Sequence, residues 1–86
     1  DCVISMGTVN ASLITPREIF SEALKFEAVS IVLLHNHPSG DATPSRNDIE
    51  VTRRIAQAGS LLGINLIDHI VIGDNAYTSL REKEFM

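Results

Sequence analysis

Ala28-Val29-Ser30-Ile31-Val32-Leu33-Leu34-His35-Asn36-His37 is an almost unbroken apolar run, rich in β-branched side chains, that ends on two histidines. Its length and composition suit a buried strand rather than a helix. Side chains two apart on a strand point to the same face, roughly 6.6 Å apart along the chain, so a strand continuing to His37 presents both imidazoles to one side. The next stretch, Pro38-Ser39-Gly40-Asp41-Ala42-Thr43-Pro44, is dense in turn formers and reads as a stiff loop. Ser45 then opens a helical pattern with Val51, Ile55, Ala58 and Leu62 on one stripe. Asp48 falls in the first turn of that helix, eleven residues after His37 and packed against the strand's end.

Two imidazoles and a carboxylate brought together in this way can make an open metal site. Zinc fits the donor set best, because imidazole nitrogen and carboxylate oxygen both bind it at about 2.0–2.2 Å and three protein ligands leave one position for water. Water on zinc becomes a nucleophile near neutral pH, its pKa falling to about 7, so a hydrolytic enzyme is the leading expectation. Iron(II) is the nearest rival, since two histidines and one carboxylate also form the facial triad of non-haem oxygenases. A plainer reading of Asp48 stands beside this one. Ser45-Arg46-Asn47-Asp48 has the form of a capping box, as does Thr15-Pro16-Arg17-Glu18 at another expected helix start with no ligand nearby. His69 is read as a hydrogen-bonded structural residue rather than a fourth ligand, Asp41 as an Asx-turn rather than an alternate ligand, and Arg53-Arg54 as a solvated helix face.

The segment His35-Asn36-His37-Pro38-Ser39-Gly40-Asp41-Ala42-Thr43-Pro44-Ser45-Arg46-Asn47-Asp48 resembles the signature of the JAB/MPN metalloproteases, H-x-H-x7-S-x2-D, in the form typical of their bacterial RadC branch. Gly7-Thr8, Thr15-Pro16-Arg17-Glu18, Ala23-Leu24, Thr52, Leu62-Gly63-Ile64, Asp68-His69-Ile70 and Ser79 extend the resemblance along most of the chain. It implies that His35, His37 and Asp48 are zinc ligands and that Ser45 hydrogen-bonds the water or the developing oxyanion rather than acting as a covalent nucleophile. It also implies a general-base glutamate on an early strand. The chain opens on Asp1-Cys2-Val3-Ile4, which looks like the middle of the RadC domain, so that glutamate is expected upstream of residue 1. Glu18, Glu22 and Glu27 do not match its place.

Outside the motif the chain sets bounds. Its 86 residues, 44% of them hydrophobic, allow one small domain spanning 1–86, N-terminally incomplete relative to the family. With 7 basic and 11 acidic side chains the formal charge is -4, which offers no broad attraction to phosphate backbones, so direct nucleic-acid binding is poorly supported. The single cysteine, Cys2, excludes an internal disulfide and a multi-cysteine metal site, and a cytoplasmic setting is expected. No apolar stretch reaches the ~18 residues of a membrane span, and the start lacks a signal-peptide pattern.

The elements are expected as a strand at about Val3 to Val9, a short strand at Ser12 to Ile14, and a helix from Pro16 to Phe26. Thr15 would cap that helix, with Ile19, Phe20, Ala23 and Leu24 as its buried face. The metal-bearing strand and the second helix follow, with Gly63 as the stop. Asn65 to Ile72 reads as a strand, Gly73-Asp74-Asn75 as a turn to a short strand around Tyr77, and the polar end as a frayed helix. This order gives an α/β fold, a mixed sheet flanked by helices. The resemblance implies the same architecture, a three-layer sandwich related to cytidine deaminases. The Cys-x-x-Cys ligands of deaminases are absent, which disfavours base deamination. The expected function is a RadC-type zinc hydrolase acting on peptide or isopeptide bonds of a peptide or protein substrate. The alternative is a non-catalytic module associated with DNA repair or recombination.

Overall fold

The structure is a computed structural model that describes residues 2–5 and 15–86. The elements run β1 (Cys2–Ser5), α1 (Pro16–Lys25), β2 (Ser30–Asn36), α2 (Arg46–Leu62), β3 (Asn65–Gly73) and β4 (Ala76–Ser79). They build the mixed α/β fold that the chain predicts, a four-stranded sheet in the order β1-β2-β3-β4. β1, β2 and β3 are parallel, and β4 returns antiparallel to β3. The expected strand at Ser12 to Ile14, the part of the first strand beyond Ser5, and Gly7-Thr8 lie outside the described residues.

Successive right-handed crossovers that step in one direction across a parallel sheet place their helices on the same face. Accordingly, Ile19, Phe20 and Ala23 of α1, Val51 and Ile55 of α2, and Ile31, Leu33, Ile64 and Leu66 of the sheet region form one buried cluster. Thr15 caps α1, its hydroxyl oxygen accepting from the Glu18 N–H at 3.3 Å, and Pro16 occupies the first turn, where its missing N–H costs nothing. Leu24, expected on the buried face, is 57% exposed. It lies at the margin of the apolar stripe in the last turn, beyond the reach of the cluster that Phe20 and Ala23 fill. Leu62, likewise placed on the α2 stripe, is 52% exposed in the last turn of its helix.

What lets the two helices meet is Gly59. A Cβ there would lie 3.2 Å from the Phe20 ring and 2.3 Å from the Ile64 carbonyl oxygen, so only a bare backbone fits. α2 then stops at Gly63, whose left-handed φ of 75° closes the helix while the Ile64 N–H bonds the Gly59 carbonyl at 2.8 Å.

β3 carries an irregularity that matters for the site. Its register against β2 shifts between Ile31 and Val32, so that Ile31 pairs with Leu66 but Val32 pairs with Asp68. The extra residue inverts the alternation: Leu66 faces the core before the shift, and His69 and Val71 face it afterwards. The Arg81 guanidinium donates to the carbonyls of Leu66 and Ile67 beside the bulge. Residues 80–84 form turns rather than the expected frayed helix. Leu80 is fully buried and Glu84 takes a φ of 62°, while the polar run between them has no apolar face with which to propagate a helix. No helix among the described residues is long and apolar enough to cross a membrane.

Candidate metal centre

β2 delivers His35 buried at its C-terminal end, on the core face it shares with Ile31 and Leu33. His37 stands one residue past the strand, but its backbone N–H still donates to the Ile72 carbonyl of β3 at 2.9 Å, so it stays in line with the ladder. The chain then reverses at Gly40, which has φ 83° and lies so close to Asp74 that a Cβ would meet that carboxylate at 2.4 Å. This locks the loop against the β3–β4 turn. α2 begins at Arg46 and brings Asp48, 1% exposed, up to both rings. His35, His37 and Asp48 each offer a ligand atom, all within 4.8 Å of one another.

The hydrogen bonds around His37 fix its chemistry. Its Nδ1 lies 2.8 Å from the Asp41 carbonyl oxygen, which can only accept, so Nδ1 carries a proton and donates it. A metal-ligating histidine uses its second nitrogen in this way, to set tautomer and ring orientation. In a neutral ring Nε2 is then a bare lone pair, and it faces Asp48 Oδ2 at 2.9 Å. Two acceptors at that distance repel unless a cation, either a second ring proton or a metal ion, offsets them. His35 Nδ1 approaches the other oxygen, Oδ1, at 3.4 Å. The donor set and its orientation therefore fit a divalent cation.

The capping box is also present, so Asp48 does both things that its sequence context allows. The Asp48 N–H donates to Ser45 Oγ at 3.0 Å, and the Ser45 N–H donates back to Asp48 Oδ2 at 2.7 Å. Burial acts most strongly on the Asp48 carboxyl and pushes its pKa up. Hydrogen bonds from Ser45 and the nearby His35 and His37 together outweigh burial, and the pKa is lowered below the usual aspartate value. Ser45 itself is exposed at the rim. Its cap uses one oxygen lone pair and leaves the hydroxyl hydrogen free to donate.

Asp41 forms the Asx-turn, its carboxylate accepting from the Thr43 N–H at 2.9 Å, and stands outside the cluster. His69 is fully buried and outside the ligand set as well. It bonds Thr52, and its ring stacks on His35 with centroids 5.9 Å apart. Among the described residues no glutamate joins the cluster. Arg53 is exposed, as a solvated face predicts, and its Nε–H reaches the Phe85 carbonyl at 3.1 Å. The Thr52–His69 pair is the feature that sequence reasoning did not assemble. Thr52 lies one helical turn after Asp48, a visible signal, but the bulge that turns His69 inward is not.

The family model of the RadC-like JAB domain matches residues 1–85. A UPF0758 protein of Halalkalibacterium halodurans is 59% identical over 80 residues, which cover 93% of this chain and 34% of that protein. The UPF0758 protein YsxA of Bacillus subtilis is 54% identical over 83 residues, covering 96% of this chain and 36% of that protein. A UPF0758 protein of a Geobacillus species shows the same 54% over 83 residues, with 37% of its length matched. The chain thus spans about a third of the length of these relatives. Matched by the family model from its first residue to within one of its last, the chain belongs to the RadC-like JAB domain family.

Proposed function

We propose that His35, His37 and Asp48 hold a zinc ion and that the domain hydrolyses peptide or isopeptide bonds. The observation that carries this reading is the orientation of His37, whose Nδ1–H is committed to the Asp41 carbonyl while Nε2 is turned toward a buried carboxylate. Zinc, when bound, would supply Lewis-acid polarisation of a carbonyl and acidify a water. The chain's own residues do the rest of the positioning. Asp48 stays ionised because Ser45 and both histidines favour its charge, and Ser45, the exposed N-cap of α2, would donate its free hydroxyl hydrogen to a developing oxyanion. Among the described residues no glutamate belongs to the cluster, Glu18, Glu22 and Glu27 included, so the general base is assigned to none of them.

Elemental analysis of protein purified without chelator should find about one zinc per chain, lost in the His35→Ala, His37→Ala double variant. Metal retained at the wild-type level by that variant would sink the site. In the full-length protein, screened against peptide and isopeptide substrates, Ser45→Ala should lower kcat by on the order of 10²-fold with little loss of zinc. Absence of hydrolysis across such substrates by zinc-loaded protein would favour a non-catalytic module.

A further inference from the structure

We propose that Thr52 and His69 are positioning residues of the metal centre, a buried pair that holds Asp48 and His35 in place and so sets metal affinity without touching the ion. The proposal rests on the metal reading above. Thr52 is fully buried one turn beyond Asp48, and its hydroxyl donates to the Asp48 carbonyl oxygen at 2.6 Å. A hydroxyl has one hydrogen, so toward His69 the same oxygen can only accept. His69 Nδ1, 2.5 Å away, must therefore be the donor. The result is a directed chain, His69 Nδ1–H to Thr52 Oγ1–H to Asp48 carbonyl. One face of the His69 ring meanwhile lies on His35 with an interplanar angle of 26°. Two of the three cluster residues are thus held by one pair of side chains.

The pair is itself anchored. The His69 backbone N–H donates to Asp68 Oδ1 at 2.7 Å, and the His69 carbonyl accepts from the Leu80 N–H at 3.0 Å. Its position in β3 follows the bulge that turns it inward, beside Leu33 of β2 in the register. His69 Nε2 is buried without a hydrogen-bond partner among the described residues, a cost that an apolar side chain in this place would avoid. What offsets that cost is the bond made by the other nitrogen. A threonine bonding back to its own helix is by itself common and purely local. Here the same hydroxyl is also tied to the neighbouring strand, which couples the start of α2 to the strand beside His35.

The test is zinc affinity, measured by competition of Zn2+ with a chromogenic chelator at neutral pH, on variants whose folding is checked by circular dichroism. Thr52→Val keeps shape and removes the relay, and His69→Phe keeps a ring against His35 but removes the donor. Each should weaken zinc binding by roughly 10–100-fold, the usual range for partners that orient metal ligands. Thr52→Ser restores the hydroxyl and should bind within a few-fold of wild type. Gly59→Ala, which perturbs the far end of α2, serves as the control for lost stability and should leave affinity unchanged. Wild-type affinity in folded Thr52→Val overturns the positioning role and leaves the metal centre standing. A loss in Gly59→Ala equal to that in Thr52→Val overturns it too, since the effect would then follow stability alone. Failure of the wild-type protein to bind zinc overturns the metal reading, and this proposal with it.

Discussion

Asp48 Oδ2 accepts from the Ser45 backbone N–H and faces His37 Nε2, so one carboxylate both starts a helix and charges a site. The two roles separate by substitution. Asp48→Asn keeps a side-chain acceptor for the cap but removes the anion, and should weaken zinc binding far more than it lowers apo stability. Asp48→Ala should lose both, with a capping cost of about 1 kcal/mol in denaturant melts. Equal apo destabilisation by the two variants with zinc affinity intact in Asp48→Asn would leave capping as the only role. His69 yields a pH prediction. Burial, then repulsion from His35 and His37, outweighs the pull of Asp48 and Asp68 and lowers its pKa from 6.5 to about 4. Above the unfolded value both states are neutral at this ring and its contribution is complete. As pH falls through the window from 6.5 toward about 4 the unfolded chain takes up the proton first, so stability is lost. With chelator present, wild-type stability should fall more steeply across that window than that of His69→Phe.

At the scale of elements, the contact between α1 and α2 depends on the absence of a side chain at Gly59. Alanine in a helix interior gains up to about 1 kcal/mol over glycine from propensity. Here its Cβ would sit 2.3 Å from the Ile64 carbonyl oxygen, and a backbone cannot swing aside as a flexible side chain can. Overpacking of this kind costs about 1–3 kcal/mol, so the clash should win. Urea unfolding of Gly59→Ala should show a net loss of stability, and a gain would mean that the helix ends are free to part. The β3 bulge belongs to this scale as well. It changes which residues of one strand face inward, and it converts His69 from a residue beside Asp68 into a partner of Thr52.

For the molecule as a whole, a metal held by His35, His37 and Asp48 would be coupled to the fold, because these residues come from separate elements, β2 and its following loop on one side and α2 on the other. A ligand that binds only the folded state stabilises it by about 2.7 kcal/mol at a hundredfold excess over its dissociation constant. In a domain of this size each 1 kcal/mol shifts Tm by roughly 4–8 °C. Saturating zinc should therefore raise Tm by on the order of 10 °C or more, and chelator should reverse the shift. The His35→Ala, His37→Ala variant should show neither change. A zinc-induced rise retained in that variant would place the stabilising ion elsewhere.

Whatever depends on local period and local chemistry could be read directly along the chain. The apolar run into His35, the caps at Thr15 and Ser45 and the stop at Gly63 were all legible, because strand alternation, N-capping and a left-handed helix end act within a few residues. The same holds for the grouping of His35, His37 and Asp48, since strand spacing and a stiff loop leave few ways to arrange them. The limits appear where distant segments meet. Leu24 satisfied the helical stripe yet remains exposed, because what covers a helix margin is set by its neighbours and not by its own period. The polar end had helical composition but folded into turns around buried Leu80. His69 had apolar neighbours on both parities, and only the shifted pairing of β3 against β2 decided that it faces the core. Register is a property of two strands, and the choice between the faces of a strand is made by the partner against which it pairs.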